Sequence, residues 1–194
     1  HFLPEIVEPA THIGHLTSAI SEELGIRPVP FIAPATHDTG SAVAAVPTED
    51  ADYAYISSGT WSLMGAEINA PILSENALEH NFTNEGGVGQ TYRFLKNIMG
   101  LWLVQECRRQ WEREGRSYSY ADLAELAARA PAFTAVINPD DERFMTPGDM
   151  PARIRAYCRE TGQAVPEDLG AIVRLAVEAL ALKYRYVLDA LEDL

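Results

Sequence analysis

The chain has 194 residues, of which 47% are hydrophobic, enough to bury a core in one domain or in one and a half. Its formal net charge of −13 argues against binding to nucleic acid or to an anionic membrane surface, because the surface potential repels phosphate groups. Two cysteines without metal-site spacing, and no apolar run near the ~20 residues that span a bilayer, predict a reduced, cytoplasmic protein.

The first fifty residues alternate between helix and strand patterns. The sequence predicts a helix over 17–24, a strand over 29–33 and a helix of small residues over 39–46. A linker follows at 48–52. We place a domain boundary there, because the pattern changes after it.

Beyond the linker, the sequence predicts strands first and helices afterwards. Short runs separated by turn residues predict an antiparallel meander over 53–57, 61–68, 81–84 and 91–95. Amphipathic or apolar segments then predict helices over 97–113, 120–130, 151–160 and 166–194. The three tryptophans are assigned to the core: Trp61, Trp102 and Trp111. The mixture of helices and strands predicts an α/β protein.

The predicted helix over 97–113 is apolar nearly all round, so we expect it to be buried. Asn97 and Gln105 are its polar exceptions. On a helix they lie about 80° apart and roughly 12 Å along the axis, so they share one face. Each amide could bond to the protein backbone, and as a pair they could contact two ends of one elongated ligand.

A polar cluster, Thr36-His37-Asp38-Thr39-Gly40-Ser41, stands between the predicted strand and the helix of small residues. An acid in this position can serve as a general base that takes a proton from an attacking hydroxyl. It can also serve as the N-cap of the helix, which is a common use of Asp. The three successive polar side chains of His37, Asp38 and Thr39 are more than a cap requires, and they favour a polyhydroxylated ligand.

The run Asp38-Thr39-Gly40-Ser41 also matches the signature of aspartic proteases. Those enzymes are all-β proteins in which two such aspartates share a proton. Here the triplet occurs once, a helix is predicted to follow it, and at least half of the chain has helical patterns. The protease alternative is therefore disfavoured.

The run Ser57-Ser58-Gly59-Thr60-Trp61-Ser62 is either an ordinary hairpin turn or a small anion-binding nest, in which backbone N–H groups and the Thr60 hydroxyl contact a phosphate. It is not a P-loop, because the Gly-Lys-Ser/Thr pairing is absent. The run Glu85-Gly86-Gly87-Val88-Gly89 lies between predicted strands and is interpreted as a turn. Together, the acid at Asp38 and the anion cradle predict phosphoryl transfer.

Four blocks of the sequence, taken together and in order, resemble the FGGY carbohydrate kinase family. They are Ala35-Thr36-His37-Asp38-Thr39-Gly40-Ser41-Ala42-Val43-Ala44-Ala45-Val46-Pro47, Ile56-Ser57-Ser58-Gly59-Thr60-Trp61-Ser62-Leu63, Asn81-Phe82-Thr83-Asn84-Glu85-Gly86-Gly87-Val88-Gly89, and Phe94-Leu95-Lys96-Asn97-Ile98-Met99-Gly100-Leu101-Trp102. The resemblance is continuous over 3–111 and looser beyond. It implies an actin-like, ribonuclease-H-like α/β fold of two domains, with sugar and ATP meeting in the cleft between them.

The resemblance implies an ATP-dependent kinase that uses Mg²⁺ and phosphorylates the terminal hydroxyl of a ketose in L-rhamnose catabolism. L-rhamnulose is the expected sugar and L-fuculose the alternative. By motif, Asp38 is expected to be the catalytic base. The other expected contacts are, for the sugar, His37, Asp38, Thr39 and Asn97, and for ATP, Thr60 and Gln105. No residue is expected to be a metal ligand. A non-catalytic nucleotide- or sugar-binding module of the same fold is the alternative from another class.

By the same resemblance, residues 1–47 are expected to end the first domain and residues 48–194 to form most of the second. The family's Asp-Leu-Gly loop for phosphate and metal and its Gly-Gly-Gly adenosine motif do not occur in the sequence, and Gln90 stands where the family has Gly. The sequence also starts without Met and stops within a helical pattern. We therefore expect a piece of a longer kinase, with little or no activity by itself.

Overall fold

The structure is a computed structural model that describes residues 2–35, 37–50 and 52–194. His1, Thr36 of the polar cluster and Ala51 of the linker lie outside the described residues. Within the described residues the chain forms a two-stranded sheet, a four-stranded sheet and seven α-helices, as expected for an α/β protein. None of these helices combines the length and the apolar character needed to cross a membrane.

A small antiparallel sheet lies near the start of the chain. Strand β1 (His12–His15) pairs with β2 (Pro30–Ile32), and helix α1 (Ser18–Leu24) connects them. Helix α2 (Asp38–Ala44) follows β2. The two predicted helices and the predicted strand of this part are confirmed, with slightly different ends. Strand β1 is not predicted, because one of its four residues is Gly14 and glycine is depleted in strands.

The larger sheet is built from four strands, which are β3 (Ala54–Ser58), β4 (Trp61–Ile68), β5 (Thr83–Gly86) and β6 (Tyr92–Met99). All neighbours are antiparallel, and the spatial order is β3-β4-β6-β5. The predicted strands are therefore confirmed, but the meander order is wrong, because β6 lies between β4 and β5. The connection from β4 to β5 contains an unpredicted short helix, α3 (Glu75–Glu79).

The largest difference from the sequence analysis concerns Asn97. The predicted helix over 97–113 begins only at Trp102, and Asn97 lies in β6, paired with Leu63 of β4. All eight residues of β6 pair with β4. A short apolar run fits a buried strand and a buried helix equally well, so the sequence pattern alone does not distinguish them. Pairing with β4 is what makes this segment a strand. Asn97 and Gln105 therefore do not share a helix face.

The remainder of the chain is helical, with α4 (Trp102–Arg113), α5 (Tyr120–Arg129), α6 (Met150–Glu160) and α7 (Leu169–Glu192). The side chains that cap the first turns of α5, α6 and α7 are Ser119, Asp149 and Asp168. Such caps typically stabilise a helix by ~1 kcal/mol each. The core between these helices contains Trp111 and both cysteines, Cys107 and Cys158, which are buried and unpaired.

Helix α7 also packs against the larger sheet. Leu180 lies in one apolar cluster with Met64 of β4 and Ile98 of β6. Beside this cluster, the hydroxyl oxygens of Ser62 and Tyr184 are hydrogen-bonded at 2.6 Å. The helix therefore supports the two central strands, from which several side chains of the candidate site extend.

Candidate active site

A cavity of about 760 Å³ lies where the start of α2, the turn between β3 and β4, and strands β5 and β6 meet. Its lining residues are His37, Asp38, Thr39, Ser57, Ser58, Gly59, Trp61, Leu63, Glu85 and Asn97. All the residues predicted to bind a sugar are among them. We call this cavity the sugar cavity, and the binding roles themselves stay predictions.

Asp38 is the first residue of α2, and His37 precedes the helix as its N-cap. The Thr39 N–H donates to His37 Nδ1 at 3.2 Å and to Asp38 Oδ1 at 2.7 Å. Asp38 therefore accepts a hydrogen bond from the first turn of α2, as a cap would, but the N-cap position is occupied by His37. The Asp38 side chain is still 95% exposed, so its carboxylate is open to a ligand in the sugar cavity.

The two carboxylate oxygens of Asp38 have different surroundings. Oδ1 accepts a second hydrogen bond from Thr39 Oγ1 at 3.4 Å and lies 3.0 Å from His37 Nδ1. No protein hydrogen bond to Oδ2 occurs within residues 2–35, 37–50 and 52–194. Oδ1 therefore holds the side chain in place, and Oδ2 is the oxygen that can take a proton.

Asn97 lines the same cavity from β6, where it is exposed. Its partner in the ladder, Leu63 of β4, lines the cavity as well. Asn97 and Asp38 therefore line one cavity, although Asn97 lies in a strand and not in the predicted helix. An amide at this position can donate and accept hydrogen bonds with sugar hydroxyls.

The turn between β3 and β4 is joined to the start of α4. The Leu101 N–H donates to Gly59 O at 2.9 Å, and the Trp102 N–H donates to Thr60 O at 3.1 Å. In the first turn of α4, Gln105 Oε1 accepts a hydrogen bond of 3.1 Å from Thr60 Oγ1. The two residues predicted to contact ATP are thus in direct contact with each other.

One backbone N–H of the anion-binding nest considered for this turn already has a partner within the protein. The Gly59 N–H donates to Trp61 O at 3.0 Å, so it is used within the turn. The Thr60 hydroxyl keeps lone pairs, and the Gln105 amide keeps its N–H groups. A phosphate or ribose contact here would therefore come from these two side chains and not from the Gly59 backbone.

A second cavity, of about 480 Å³, lies between the start of α4 and helices α5 and α7. Leu101, the N-cap residue of α4, and Val104, next to Gln105 in its first turn, line it together with Leu123 and Val173. We call it the apolar cavity. Its mostly alkyl walls suit a flat apolar ring, because ligand pockets bury apolar groups against such side chains.

Two residues of the sugar cavity were not expected there. Trp61 is predicted to lie in the core, but it is 50% exposed at the start of β4. Glu85 is predicted to lie in a turn, but it lies in β5, opposite Arg93 of β6. The register between β5 and β6 determines the position of Glu85, and a local sequence pattern does not contain this register.

The candidate site does not fit a resident metal ion. Among the described residues, no group of three or more His, Cys, Asp or Glu side chains is placed to hold a metal. The sugar cavity holds two carboxylates, Asp38 and Glu85, and neither belongs to such a group, whereas Mg²⁺ generally binds through one or two carboxylates together with the phosphates of a substrate. We assign no metal ligand to this part of the chain.

Several curated proteins are similar to this chain along nearly all of its length. It is 51% identical over 188 residues to a rhamnulokinase of Bacteroides thetaiotaomicron and 46% identical over 191 residues to a rhamnulokinase of Enterococcus faecalis. These matches cover 97% and 98% of this chain, and 38% of each relative. The chain therefore spans somewhat more than a third of the length of these relatives.

Solved structures share the fold. The chain resembles xylulose kinase from Rhodospirillum rubrum with a TM-score of 0.64 at 18% identity, over 98% of this chain and 38% of that chain. Xylulose kinase from Lactobacillus acidophilus has a TM-score of 0.57 at 16% identity, over 91% of this chain and 35% of that chain. The expected actin-like α/β fold is confirmed.

Residues 54–194 match the model described as "FGGY family of carbohydrate kinases, C-terminal domain". This chain belongs to the FGGY family of carbohydrate kinases.

Proposed function

We propose that this chain is part of an ATP-dependent kinase that converts L-rhamnulose to L-rhamnulose 1-phosphate. The observation that carries the proposal is the sugar cavity, in which the open carboxylate of Asp38 lies with His37, Thr39 and Asn97. Similar proteins named rhamnulokinase, at 51% to 43% identity, support the choice of sugar. Because the chain spans 37% to 39% of their length, the activity is proposed for the complete protein.

In the proposed reaction, the terminal hydroxyl of the ketose attacks the γ-phosphorus of ATP. The new O–P bond forms as the bond between phosphorus and the β,γ-bridging oxygen breaks, and ADP leaves. Asp38 Oδ2 takes the hydroxyl proton and becomes a neutral carboxyl group. His37, Thr39 and Asn97 hold the other hydroxyls. Positioning and proton removal of this kind are what a protein contributes to phosphoryl transfer.

We propose that the nucleotide binds beside Thr60 and Gln105. Their hydrogen bond fixes both side chains and leaves the Gln105 N–H groups and the Thr60 lone pairs for ATP. The apolar cavity, lined by Leu101 and Val104 of the same helix turn, would accept the adenine ring. Mg²⁺ is proposed to arrive bound to the ATP phosphates, where it neutralises their charge.

We further propose that residues 1–47 belong to one domain of the kinase and residues 48–194 to the next. Phosphoryl transfer needs groups on both sides of the transferred phosphoryl. The 194 residues by themselves should therefore transfer little phosphate. A cytoplasmic location is also proposed, and its support is the pair of buried, unpaired cysteines, Cys107 and Cys158.

Thr60→Val in the complete kinase should raise the KM for ATP by roughly 5- to 20-fold, because it removes one hydroxyl and frees Gln105 to rotate. The KM for the ketose should change less than about twofold, since Thr60 does not line the sugar cavity. Initial rates with each substrate varied in turn measure both constants. The matched control is Thr134→Val, at an exposed threonine that lines neither cavity. Equal changes in both KM values would contradict the assignment.

Calorimetric titration of the complete protein with ADP and with L-rhamnulose tests the proposed function. A kinase binds both ligands. A nucleotide-binding or sugar-binding module of the same fold would bind only one of them. L-fuculose titrated in parallel tests the sugar, and tighter binding of L-fuculose than of L-rhamnulose would move the proposal to that ketose.

A further inference from the structure

An ion pair between a buried arginine and a partly exposed glutamate lies at the wall of the sugar cavity. The Arg93 side chain is 3% exposed, and its Nη2 lies 2.9 Å from Oε2 of Glu85, its partner across strands β5 and β6. Arg93 Nε also donates to Gly86 O at 3.2 Å. A buried ion pair seldom stabilises a protein more than well-packed apolar side chains would. Its presence here therefore points to a role other than stability.

Arg93 also packs beneath α2. A Cβ placed on Gly40 would lie 3.3 Å from Arg93 Nη2 and 3.2 Å from Ala35 Cβ, so the space suits glycine and little more. Gly40 lies two residues after Asp38 in the first turns of α2. One guanidinium thus connects the strand that carries Glu85 with the helix that carries Asp38.

Among the described residues, the Arg93 guanidinium forms an ion pair with Glu85 alone. Arg93 Nη1 is a buried atom without a hydrogen-bond partner in the part of the chain that the structure describes. The phenol of Tyr55 is close by, and burial raises its pKa to about 12, an effect that Arg93 reduces and Glu85 increases. Tyr55 is therefore neutral at physiological pH. The guanidinium then has Glu85 as its charged partner in this buried group.

Glu85 has a free oxygen for a ligand. Its Oε2 faces Arg93, and no hydrogen bond to Oε1 occurs among residues 2–35, 37–50 and 52–194. The side chain is 32% exposed and lines the sugar cavity together with Asp38 and Asn97. An ionised carboxylate only accepts hydrogen bonds, whereas an amide such as Asn97 can do both. Hydroxyl groups of a sugar are donors that match this acceptor.

We propose that Glu85 binds the ketose and contributes to its specificity. Its Oε1 accepts a hydrogen bond from a sugar hydroxyl other than the one that is phosphorylated, and Arg93 is a positioning residue that holds Glu85 and the first turn of α2 in a fixed relation. The inference rests on the proposed kinase function. Asp38, with its 95% exposed side chain, remains the base, because the Glu85 carboxylate is held by Arg93.

Glu85→Gln in the complete kinase tests the role of Glu85. Glutamine has the same shape as glutamate, and its oxygen can still accept a hydrogen bond from Arg93. Its NH₂ group, which is a donor, then takes the place of the oxygen that accepts from the sugar. The KM for L-rhamnulose should rise roughly 10- to 100-fold, and the KM for ATP should change less than about twofold. Glu79→Gln, at an exposed glutamate at the end of α3, is the matched control.

Sugars that lack one hydroxyl locate the contact and separate binding from a folding defect. L-rhamnulose analogues deoxygenated at C3, C4 or C5 are compared with the parent sugar on the wild type, on Glu85→Gln and on Glu85→Asp, which keeps the charge but shortens the side chain. With the wild type, the analogue that lacks the hydroxyl bound by Glu85 should have a kcat/KM at least about tenfold below that of L-rhamnulose. With either variant, the difference between this analogue and L-rhamnulose should be far smaller.

The role of Arg93 is tested by Arg93→Lys and Arg93→Met. If Arg93 positions Glu85, the KM for the ketose should be lower in Arg93→Lys, which keeps the positive charge, than in Arg93→Met. The KM for ATP should be unchanged in both variants. A purely structural role would change both KM values together or neither.

Two results would overturn the inference while the wild type stays active: a ketose KM within twofold of the wild type in Glu85→Gln, or equal losses with the deoxy analogues in the wild type and in both Glu85 variants. A wild type that phosphorylates no ketose would instead overturn the proposed function, and with it this inference.

Discussion

Replacement of Asp38 by Asn in the complete kinase should lower kcat by roughly 10²- to 10⁴-fold, the usual contribution of a general base. Asparagine keeps an oxygen that can accept the Thr39 N–H, which Asp38 Oδ1 accepts at 2.7 Å. The start of α2 should therefore stay intact. The amide cannot take the proton of the ketose hydroxyl. Steady-state ADP release with saturating ATP and ketose measures the loss.

The affinity for the nucleotide separates a catalytic defect from a folding defect. Calorimetry with ADP should give a dissociation constant within about threefold of the wild type, because Thr60 and Gln105 are unchanged. Asp52→Asn, at an exposed aspartate outside the sugar cavity, is the matched control and should keep full turnover. Turnover of Asp38→Asn close to the wild-type value would show that Asp38 is not the base.

Replacement of Gly65 by Ala should destabilise the protein by at least ~3 kcal/mol or prevent folding, because the new methyl group meets main-chain atoms that cannot move aside. A Cβ at Gly65 would lie 2.1 Å from Phe94 O and 2.7 Å from Leu95 Cα. Gly65 pairs with Leu95 in the central ladder between β4 and β6. This ladder also positions Asn97 and the turn that carries Thr60. Urea unfolding followed by circular dichroism measures the effect.

Gly86→Ala is the matched control in the same sheet. Gly86 lies in the edge strand β5, and a Cβ there would have no described atom within 4 Å. Its unfolding free energy should therefore change by less than about 1 kcal/mol. If Gly65→Ala unfolded at the same urea concentration as Gly86→Ala, the close approach of β4 and β6 would be in error.

The sequence predicts the parts of the candidate site that are continuous along the chain. His37, Asp38 and Thr39 are neighbours between a strand and a helix, so their shared position follows from local patterns alone. The resemblance assigns Thr60 and Gln105 to one ligand, but it does not predict that they contact each other. Their hydrogen bond joins residues on different elements and is visible only in the structure.

Local patterns could not predict the parts that depend on strand register. Asn97 is in β6 because that strand pairs along its whole length with β4, and the same residues would also fit an apolar helix. Glu85 meets Arg93 because of the register in which β5 pairs with β6, which no local pattern contains. Trp61 looks like a core residue by composition, yet its position at the start of β4 leaves it in the cavity wall.

Ketose-dependent release of ADP is the most direct test of the account. The complete protein and the 194-residue chain are each assayed with ATP, Mg²⁺ and L-rhamnulose, L-fuculose or no sugar, and the product is identified by phosphorus NMR. We expect sugar-dependent ADP release by the complete protein, fastest with L-rhamnulose and with phosphate on the terminal hydroxyl, and little release by the chain alone. Absence of ketose-dependent ADP release by the complete protein would contradict it.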